Sequence, residues 1–293
     1  VTRYAVIGLG KAGRAVAGLL AEQGLLVSAW TRNEATGAAA VAKLPALAPL
    51  LQTGGAPAAG EAEVVVFAVP DDQLAAVARG AVATNSRPEE RVWLHLSGAS
   101  GYETLGATGG PRGLCHPLQS LRGDAGDREA LLGAFFAIDG EGRALDAARS
   151  LAERLGGRPE QVPGEARAAY HLAAALAGNA PYATMQAALT VIAAANIDSP
   201  ALRAGLARLA HGATANMLLA PPAAALTGPF ARGDAGTVLR HADRLRATPE
   251  LLPLYAALGQ LWLELAEARG LSDRAIAALS AALATTEEPR REG

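Results

Sequence analysis

Residues Tyr4-Ala5-Val6-Ile7-Gly8-Leu9-Gly10-Lys11-Ala12-Gly13 decide how this chain of 293 residues is read. The apolar run Tyr4 to Ile7 is short and sharply bounded, as a buried parallel strand is, and the alanine- and leucine-rich stretch Arg14 to Gln23 reads as a helix. Between them stands G-x-G-x-x-G. In a strand-turn-helix frame Gly8 permits the tight turn, Gly10 lets the backbone approach a pyrophosphate, and Gly13 lets the helix pack on the strand. Free N–H groups and the positive end of the helix dipole then face the phosphates of a dinucleotide, and Gly8, Leu9, Gly10, Lys11, Ala12 and Gly13 are the candidate cofactor-binding residues of this turn.

Half of the residues are apolar and 18% are charged, so sizeable cores are expected, and the length predicts two domains. A net charge of −2 and a pI near 6.3 give no electrostatic footprint for nucleic acid or an anionic membrane, so a small-molecule partner is expected. Cys115 is the only cysteine, and no Cys/His cluster points to a metal. The sequence enters its first strand at once, leaving no room for a signal peptide, and a cytoplasmic location is expected. The uncharged stretch Leu172 to Ile197 is long enough to cross a bilayer. It is mostly alanine, however, and is interrupted by Asn179, Pro181, Thr184, Gln186 and Asn196, so it reads as a helix buried between other helices or subunits.

A second strand, Leu25 to Trp30, ends at Thr31-Arg32-Asn33. An NAD site usually places an Asp or Glu near this point to bind the ribose 2′-hydroxyl. The hydroxyl, guanidinium and amide found here suit a 2′-phosphate instead, which favours NADP. The alternative is a solvated Arg32 with Glu34 reaching the ribose. Residues 37–61 say little beyond a helix and a short strand or loop. The strand from Glu63 is stopped by Pro70 and followed by a helix near Gln73; Val69 and Pro70 are expected to border the nicotinamide ribose, and Asp71 or Asp72 to cap the helix. Strands Arg91 to Leu96 and Gly113 to Leu121 deliver Ser97 and His116 to one rim. Strand Ala134 to Ile138, helix Arg143 to Leu155 and strand Arg158 to Val162 complete the sheet, and the first domain ends at 163. Domain 164–293 reads as helices over 165–197, 200–218, 234–247, 249–270 and 272–285, with Glu287 to Gly293 expected to fray.

Hydride chemistry needs a proton donor or acceptor within reach of the substrate. Lys11 and Lys43 are the only lysines, so a lysine on the first helix of the second domain is excluded. Weight moves to histidine. His95 lies inside a strand and reads as a core residue, while His211 and His241 read as structural or exposed. His116, at a strand end and held by Pro117, is expected either to touch substrate or to order its loop. His171 is the rival: Asn179 follows two turns later, and both are expected in the cleft between domains, or else satisfied with Tyr170 inside a helical core.

GLGKAG at the start, AVPDDQL, HLSGA, LCHPLQSL, FAIDG, YHLAAALAGN and ALTGPFARGD together resemble a Rossmann-like family with a C-terminal domain of unknown function, DUF2520, over nearly the whole chain. That family is grouped with 6-phosphogluconate and 3-hydroxyisobutyrate dehydrogenases, pyrroline-5-carboxylate reductase and ketopantoate reductase. The resemblance implies an NAD(P)-dependent oxidoreductase whose helical second domain often forms the dimer. The expected fold is α/β: a doubly wound, Rossmann-like parallel sheet followed by an all-α C-terminal domain. The lysine of the hydroxyacid dehydrogenases falls at Ala175, if Asn179 is their asparagine, so that mechanism does not carry over. Ser97 with His116-Pro117 is similar to the serine and histidine-proline pair of prephenate dehydrogenases.

The leading expectation is an NADP-dependent reductase of a small carbonyl or imine compound, such as a 2-oxo acid of the ketopantoate type. His116, oriented by Ser97, polarises or protonates the substrate, and His171 and Asn179 fix its orientation. Gln119 and Ser120 are candidate donors; Arg232 either pairs a substrate carboxylate or is a surface arginine. Oxidation of a hydroxy compound in the manner of prephenate dehydrogenase is a second reading, and a nucleotide-binding sensor or scaffold without turnover a third. A homodimer through the helical domain is expected, because broad apolar surfaces are seldom left to water.

Overall fold

The computed structural model describes residues 1–286; Glu287 to Gly293, for which fraying is expected, lie outside the described residues. Two compact units emerge, Val1–Gly178 and a second that begins at Asn179.

The first unit is built on β1 (Tyr4–Ile7), α1 (Lys11–Glu22), β2 (Leu26–Thr31), α2 (Glu34–Lys43), β3 (Leu51–Thr53), β4 (Val64–Phe67), α3 (Asp71–Thr84), β5 (Val92–His95) and β6 (Arg112–Pro117). It continues through α4 (Asp127–Leu131), β7 (Phe135–Gly140), α5 (Arg143–Arg154), β8 (Arg158–Gln161) and α6 (Arg167–Gly178). The strands form one sheet in the order β3-β2-β1-β4-β5-β6-β7-β8. Residues alternate between two cores: Tyr4, Val6, Val66 and Leu94 pack with Val16, Leu20 and Leu151 on one face. Ala5, Ile7, Val65, Phe67 and Trp93 pack with Leu74, Ala78 and Leu105 on the other. A sheet covered on both faces needs apolar residues at successive positions, which is why these strands read as unbroken apolar runs.

The first six strands are parallel, as expected, but β7 runs antiparallel to β6, and β8 is parallel to β7. A parallel β7 needs a crossover running back along the sheet. Residues 118–134 hold only the short α4, so β7 starts beside the end of β6, where Pro117 pairs with Phe136.

The described residues after Gln161 form helices and loops, without strands. The helix expected over 165–197 is two helices, because α6 stops at Gly178 and α7 (Ala180–Ala194) starts anew. Pro181 lacks an N–H and clashes with a preceding helical carbonyl, so it is accommodated only in the first turn of α7. Then come α8 (Pro200–Asn216), α9 (Pro222–Ala225), α10 (Gly228–Arg232), α11 (Ala235–Leu245), α12 (Leu252–Ala268) and α13 (Asp273–Ala284). The core of this unit, Phe230, Val238, Leu263, Leu279, Ala282 and Leu283, comes from α10 to α13. By contrast α7 buries only Ile192 and α8 buries nothing. Among the described residues no helix is long and apolar enough to cross a membrane.

Candidate cofactor and substrate site

Gly8 and Gly13 are fixed by contacts that no side chain would survive. Gly8 has φ of +102° and lies so close to the end of β4 that a Cβ would stand 2.4 Å from the Ala68 carbonyl oxygen. At Gly13 a Cβ would stand 1.9 Å from the Gly8 carbonyl oxygen. Gly10 differs: it precedes α1 without a side-chain cap, and beyond its own chain neighbours no atom lies within 4 Å of where its Cβ would be. The first N–H groups of a helix lack intrahelical acceptors, so an open, positively polarised backbone cradle results. Its residues fit the pyrophosphate of a dinucleotide. Leu9 is buried beneath the cradle and Lys11 is exposed at its rim. The helix begins at Lys11, three residues before the predicted Arg14, because the glycine turn passes straight into it. Arg14, unnoticed in the sequence, donates to the carbonyls of Leu9 at 3.1 Å and Gly123 at 2.9 Å, tying the cradle to the loop after β6.

At the end of β2, Thr31 is buried while Arg32 and Asn33 are exposed. Asn33 Oδ1 accepts the Thr36 N–H at 3.1 Å and caps α2, so its carbonyl oxygen is engaged in the helix. Beyond β4, Val69 is half-buried and Pro70 exposed. Pro70 holds the cap position of α3, and Asp71 and Asp72 lie in its first turn, so neither aspartate is the cap. Asp71 has another partner: its Oδ2 accepts the Ser97 hydroxyl at 2.8 Å. Ser97 Oγ also accepts the N–H groups of Ala99 and Ser100, at 3.1 and 2.9 Å.

The ends of β5 and β6 are neighbours in the parallel part of the sheet, so Ser97 and His116 reach the same edge as the cradle. It is Tyr170 on α6, however, rather than Ser97, that is bonded to His116, with 2.6 Å between Nδ1 and the phenol oxygen. Gly98 packs against the imidazole so tightly that a Cβ there would come within 2.8 to 2.9 Å of three ring atoms. Burial, reinforced by the nearby charges of His171 and Arg167 and opposed by Asp71, pushes the His116 pKa down to about 4. Burial lifts that of Tyr170 to about 12. Near neutral pH the pair is therefore a neutral imidazole bonded to a neutral phenol.

His95 lies in the core, as expected of a strand histidine, with Nε2 3.2 Å from the Gly101 carbonyl oxygen and Nδ1 accepting the Ser97 N–H. Burial pushes its pKa down to about 4 as well. Both histidines take up protons in the unfolded chain at higher pH than in the folded protein. Their stabilising effect is full above about pH 6.5 and is lost as pH falls toward 4, by up to about 1.4 kcal/mol per pH unit for each. The urea midpoint is expected to drop between pH 6.5 and 4.5, with a shallower slope in His116→Gln. An equally steep drop in that variant would remove His116 from the account.

Gln119 is exposed and folds onto its own loop, Nε2 donating to the Ala130 carbonyl at 2.8 Å and Oε1 accepting the Ser120 N–H at 2.8 Å. Its amide ties the loop together, and Ser120 stands beside it on the surface. His171 is exposed on α6 and near enough for its charge to act on His116. Asn179 follows the end of α6, so the two-turn spacing from His171 no longer describes one helix face, and both are exposed rather than joined with Tyr170 in a core. Arg232 is exposed in the last turn of α10.

Beneath this cluster Arg167 and Asp139 form a buried ion pair of 2.7 Å. Asp139 Oδ1 additionally accepts the Gly140 N–H at 3.0 Å and Gln161 Nε2 at 3.3 Å. The pair anchors the first turn of α6 to β7 and thereby places Tyr170, one turn on, against His116. Among the described residues no group of three or more His, Cys, Asp or Glu side chains is placed to hold a metal ion.

Residues 2–118 match the family of Rossmann-like domains, and residues 134–261 match the family described as a domain of unknown function, DUF2520. No curated protein matches the chain. Among solved structures it is similar to a Bacteroides fragilis protein assigned as an NADP oxidoreductase, with 20% identity, a TM-score of 0.71, and 91% of this chain and 98% of that one covered. It is also similar to the reductive aminase of Aspergillus terreus in complex with NADPH and ethyl-5-oxohexanoate, at 17% identity and a TM-score of 0.54, covering 97% and 93%. Prephenate dehydrogenase of A. aeolicus, in complex with hydroxyphenyl propionate and NAD+, gives 16%, 0.50, 68% and 71%. At these identities the likeness speaks for the fold.

Proposed function

We propose that the protein is an NADP-dependent oxidoreductase that transfers a hydride between NADPH and a small carbonyl or imine compound. The observation that carries this reading is the cradle at Gly10, with open space above a helix N-terminus that has no side-chain cap. In this reading Gly8 to Gly13 hold the pyrophosphate, Lys11 adds charge, Val69 and Pro70 border the nicotinamide ribose, and Arg32 pairs the 2′-phosphate beside Thr31 and Asn33. Bound NADPH supplies the hydride. The reductive aminase fold likeness, whose structure holds NADPH, supports the choice of cofactor.

The chain's own contribution centres on His116. With the Tyr170 phenol donating to Nδ1, the imidazole carries its hydrogen on Nε2 and donates it to the substrate oxygen or nitrogen. That bond polarises C=O or C=N and stabilises the charge that develops as hydride reaches the carbon. His171 borders the same group, and Ser120 is a candidate for holding the rest of the substrate. Residues 1–163 thus hold the nucleotide and carry His116 for the substrate, and the helical remainder serves a homodimer. The apolar α7 and α8, with Leu209, Leu218 and Leu219 exposed on and after α8, support that dimer. A single-chain mass in sedimentation equilibrium would sink it.

Calorimetric titration of the nucleotide-free protein with NADPH and NADH tests the cofactor. NADPH is expected to bind more tightly, and Arg32→Ala to weaken NADPH about 10- to 100-fold while leaving NADH nearly unchanged, since a hydrogen bond to a charged group contributes about 1.5–3 kcal/mol. Failure to bind either nucleotide refutes the reading. In reduction assays over ketones and imines, His116→Ala is expected to lower kcat by about 100- to 1,000-fold, as loss of one donor to a developing charge does. Unchanged turnover would remove His116 from the chemistry.

A further inference from the structure

The helical unit contains a cavity of about 400 Å³ that is lined by none of the residues proposed above to hold cofactor or substrate. We propose that it is a small-molecule site for an uncharged aromatic ring bearing one hydrogen-bonding group.

Three rings make one wall. Phe230 and Trp262 lie 5.3 Å apart between centroids at 50°, and Tyr255 meets Trp262 at 5.8 Å and 72°. Met217, Leu226 and Leu265 help to line the rest. Tilted and edge-on ring packing of this kind extends readily to a further ring, which gains both burial and quadrupole attraction. The volume falls in the lower part of the range of about 300–1,000 Å³ typical of ligand pockets, which suits a ring with a short substituent.

Apart from the Trp262 indole, the polar side chains of the lining are Thr227, His241 and Tyr255, and the last two are bonded to each other. His241 Nδ1 lies 2.9 Å from the Tyr255 hydroxyl, with the two rings edge to face at 88°. None of the lining residues carries a formal charge apart from what His241 can acquire, and burial together with Arg240 disfavours protonation there, against an opposing pull from Asp234. Burial also keeps the Tyr255 phenol protonated, with a pKa pushed up to about 12. A carboxylate entering this space would lose its hydration with no cation on the wall to replace it, whereas a hydroxyl would meet the His241–Tyr255 pair. Ala213, exposed on α8, stands at the lining, where a larger side chain blocks the cavity without disturbing the core of α10 to α13.

Ligand-observed NMR titration of the full chain with 4-methylphenol, toluene and 4-methylbenzoate tests the site, and no nucleotide is needed. Saturable binding of 4-methylphenol is expected, with 4-methylbenzoate at least tenfold weaker. Ala213→Trp is expected to abolish it with circular dichroism and Tm unchanged. Tyr255→Phe combined with His241→Leu is expected to bind toluene and 4-methylphenol alike, having lost both members of the polar pair that tells them apart. The proposal is overturned by absence of saturation, by binding that survives Ala213→Trp, or by equal binding of 4-methylbenzoate. It is overturned as well if 4-methylphenol binds only when sedimentation shows paired chains separating, because a second copy then fills the cavity.

Discussion

Gly13→Ala is expected to abolish nucleotide binding and to destabilise the protein at or beyond the upper end of the roughly 1–3 kcal/mol typical of overpacking. The added methyl would stand 1.9 Å from the Gly8 carbonyl oxygen and 3.0 Å from Ala68 Cβ. The first neighbour is backbone. It is held in turn by a glycine with φ of +102° pressed on the end of β4, so relief requires moving α1 away from the sheet. Such a shift carries the helix N-terminus away from the phosphates and opens the core where Val16 and Leu20 pack. Gly10→Ala makes the informative contrast, because its methyl meets no protein atom within 4 Å beyond its own chain neighbours. Its stability should hardly change, while NADPH affinity should fall as the methyl occupies the space proposed for the pyrophosphate. Paired urea melts and titrations of the two variants read this directly. If Gly10→Ala bound NADPH like the unmutated protein, the cradle would not be the phosphate site.

The second large effect is expected at the buried ion pair. Arg167→Met removes the cation while leaving Asp139 in the core, and breaking a buried pair by deleting one partner costs about 3–5 kcal/mol. The Gly140 N–H and Gln161 side chain still reach Asp139, which holds the loss toward the lower figure. Arg167→Met combined with Asp139→Leu should recover much of the stability, since no charge is then left buried alone. If the single and double variants melted together, the pair would contribute nothing measurable. Loss of the Arg167 charge also removes one of the influences that keep His116 neutral, so the His116 pKa, followed by NMR, should rise in Arg167→Met.

The sequence made some of this legible because the signals were local. Gly8, Gly10 and Gly13 each have a backbone reason that a strand-turn-helix pattern already implies, and the apolar strands announce a sheet covered on both faces. The reversal of β7 was hidden in a negative feature, the lack of a crossover helix between 118 and 134. Pro181 was visible, yet its consequence for one long helix was outweighed by the alanine-rich run around it. The histidine at the strand end could be found from its position, but not its partner: Tyr170 is 54 residues downstream, and only the Asp139–Arg167 anchor brings it there. Asp71 was misread as a cap because aspartate before a helix is a strong local signal, whereas the Ser97 hydroxyl that it accepts comes from the next strand. Local patterns thus marked where a ligand edge lies, while long-range contacts decided which side chains face one another across it.

Those long-range contacts also bear on time. The cradle exists only when Gly8 meets Ala68, Tyr170 reaches back to His116 across 54 residues, and Arg14 joins Gly123 across 109. Closing such loops costs chain entropy before any contact repays it, and parallel sheets are intrinsically slow to form for that reason. Helices such as α1 and α5 close their own hydrogen bonds within a few residues and need not wait. During refolding, helical signal is therefore recovered ahead of competence for nucleotide, and an interrupted refolding reaction accumulates chains that look largely formed while their binding edge is still in pieces.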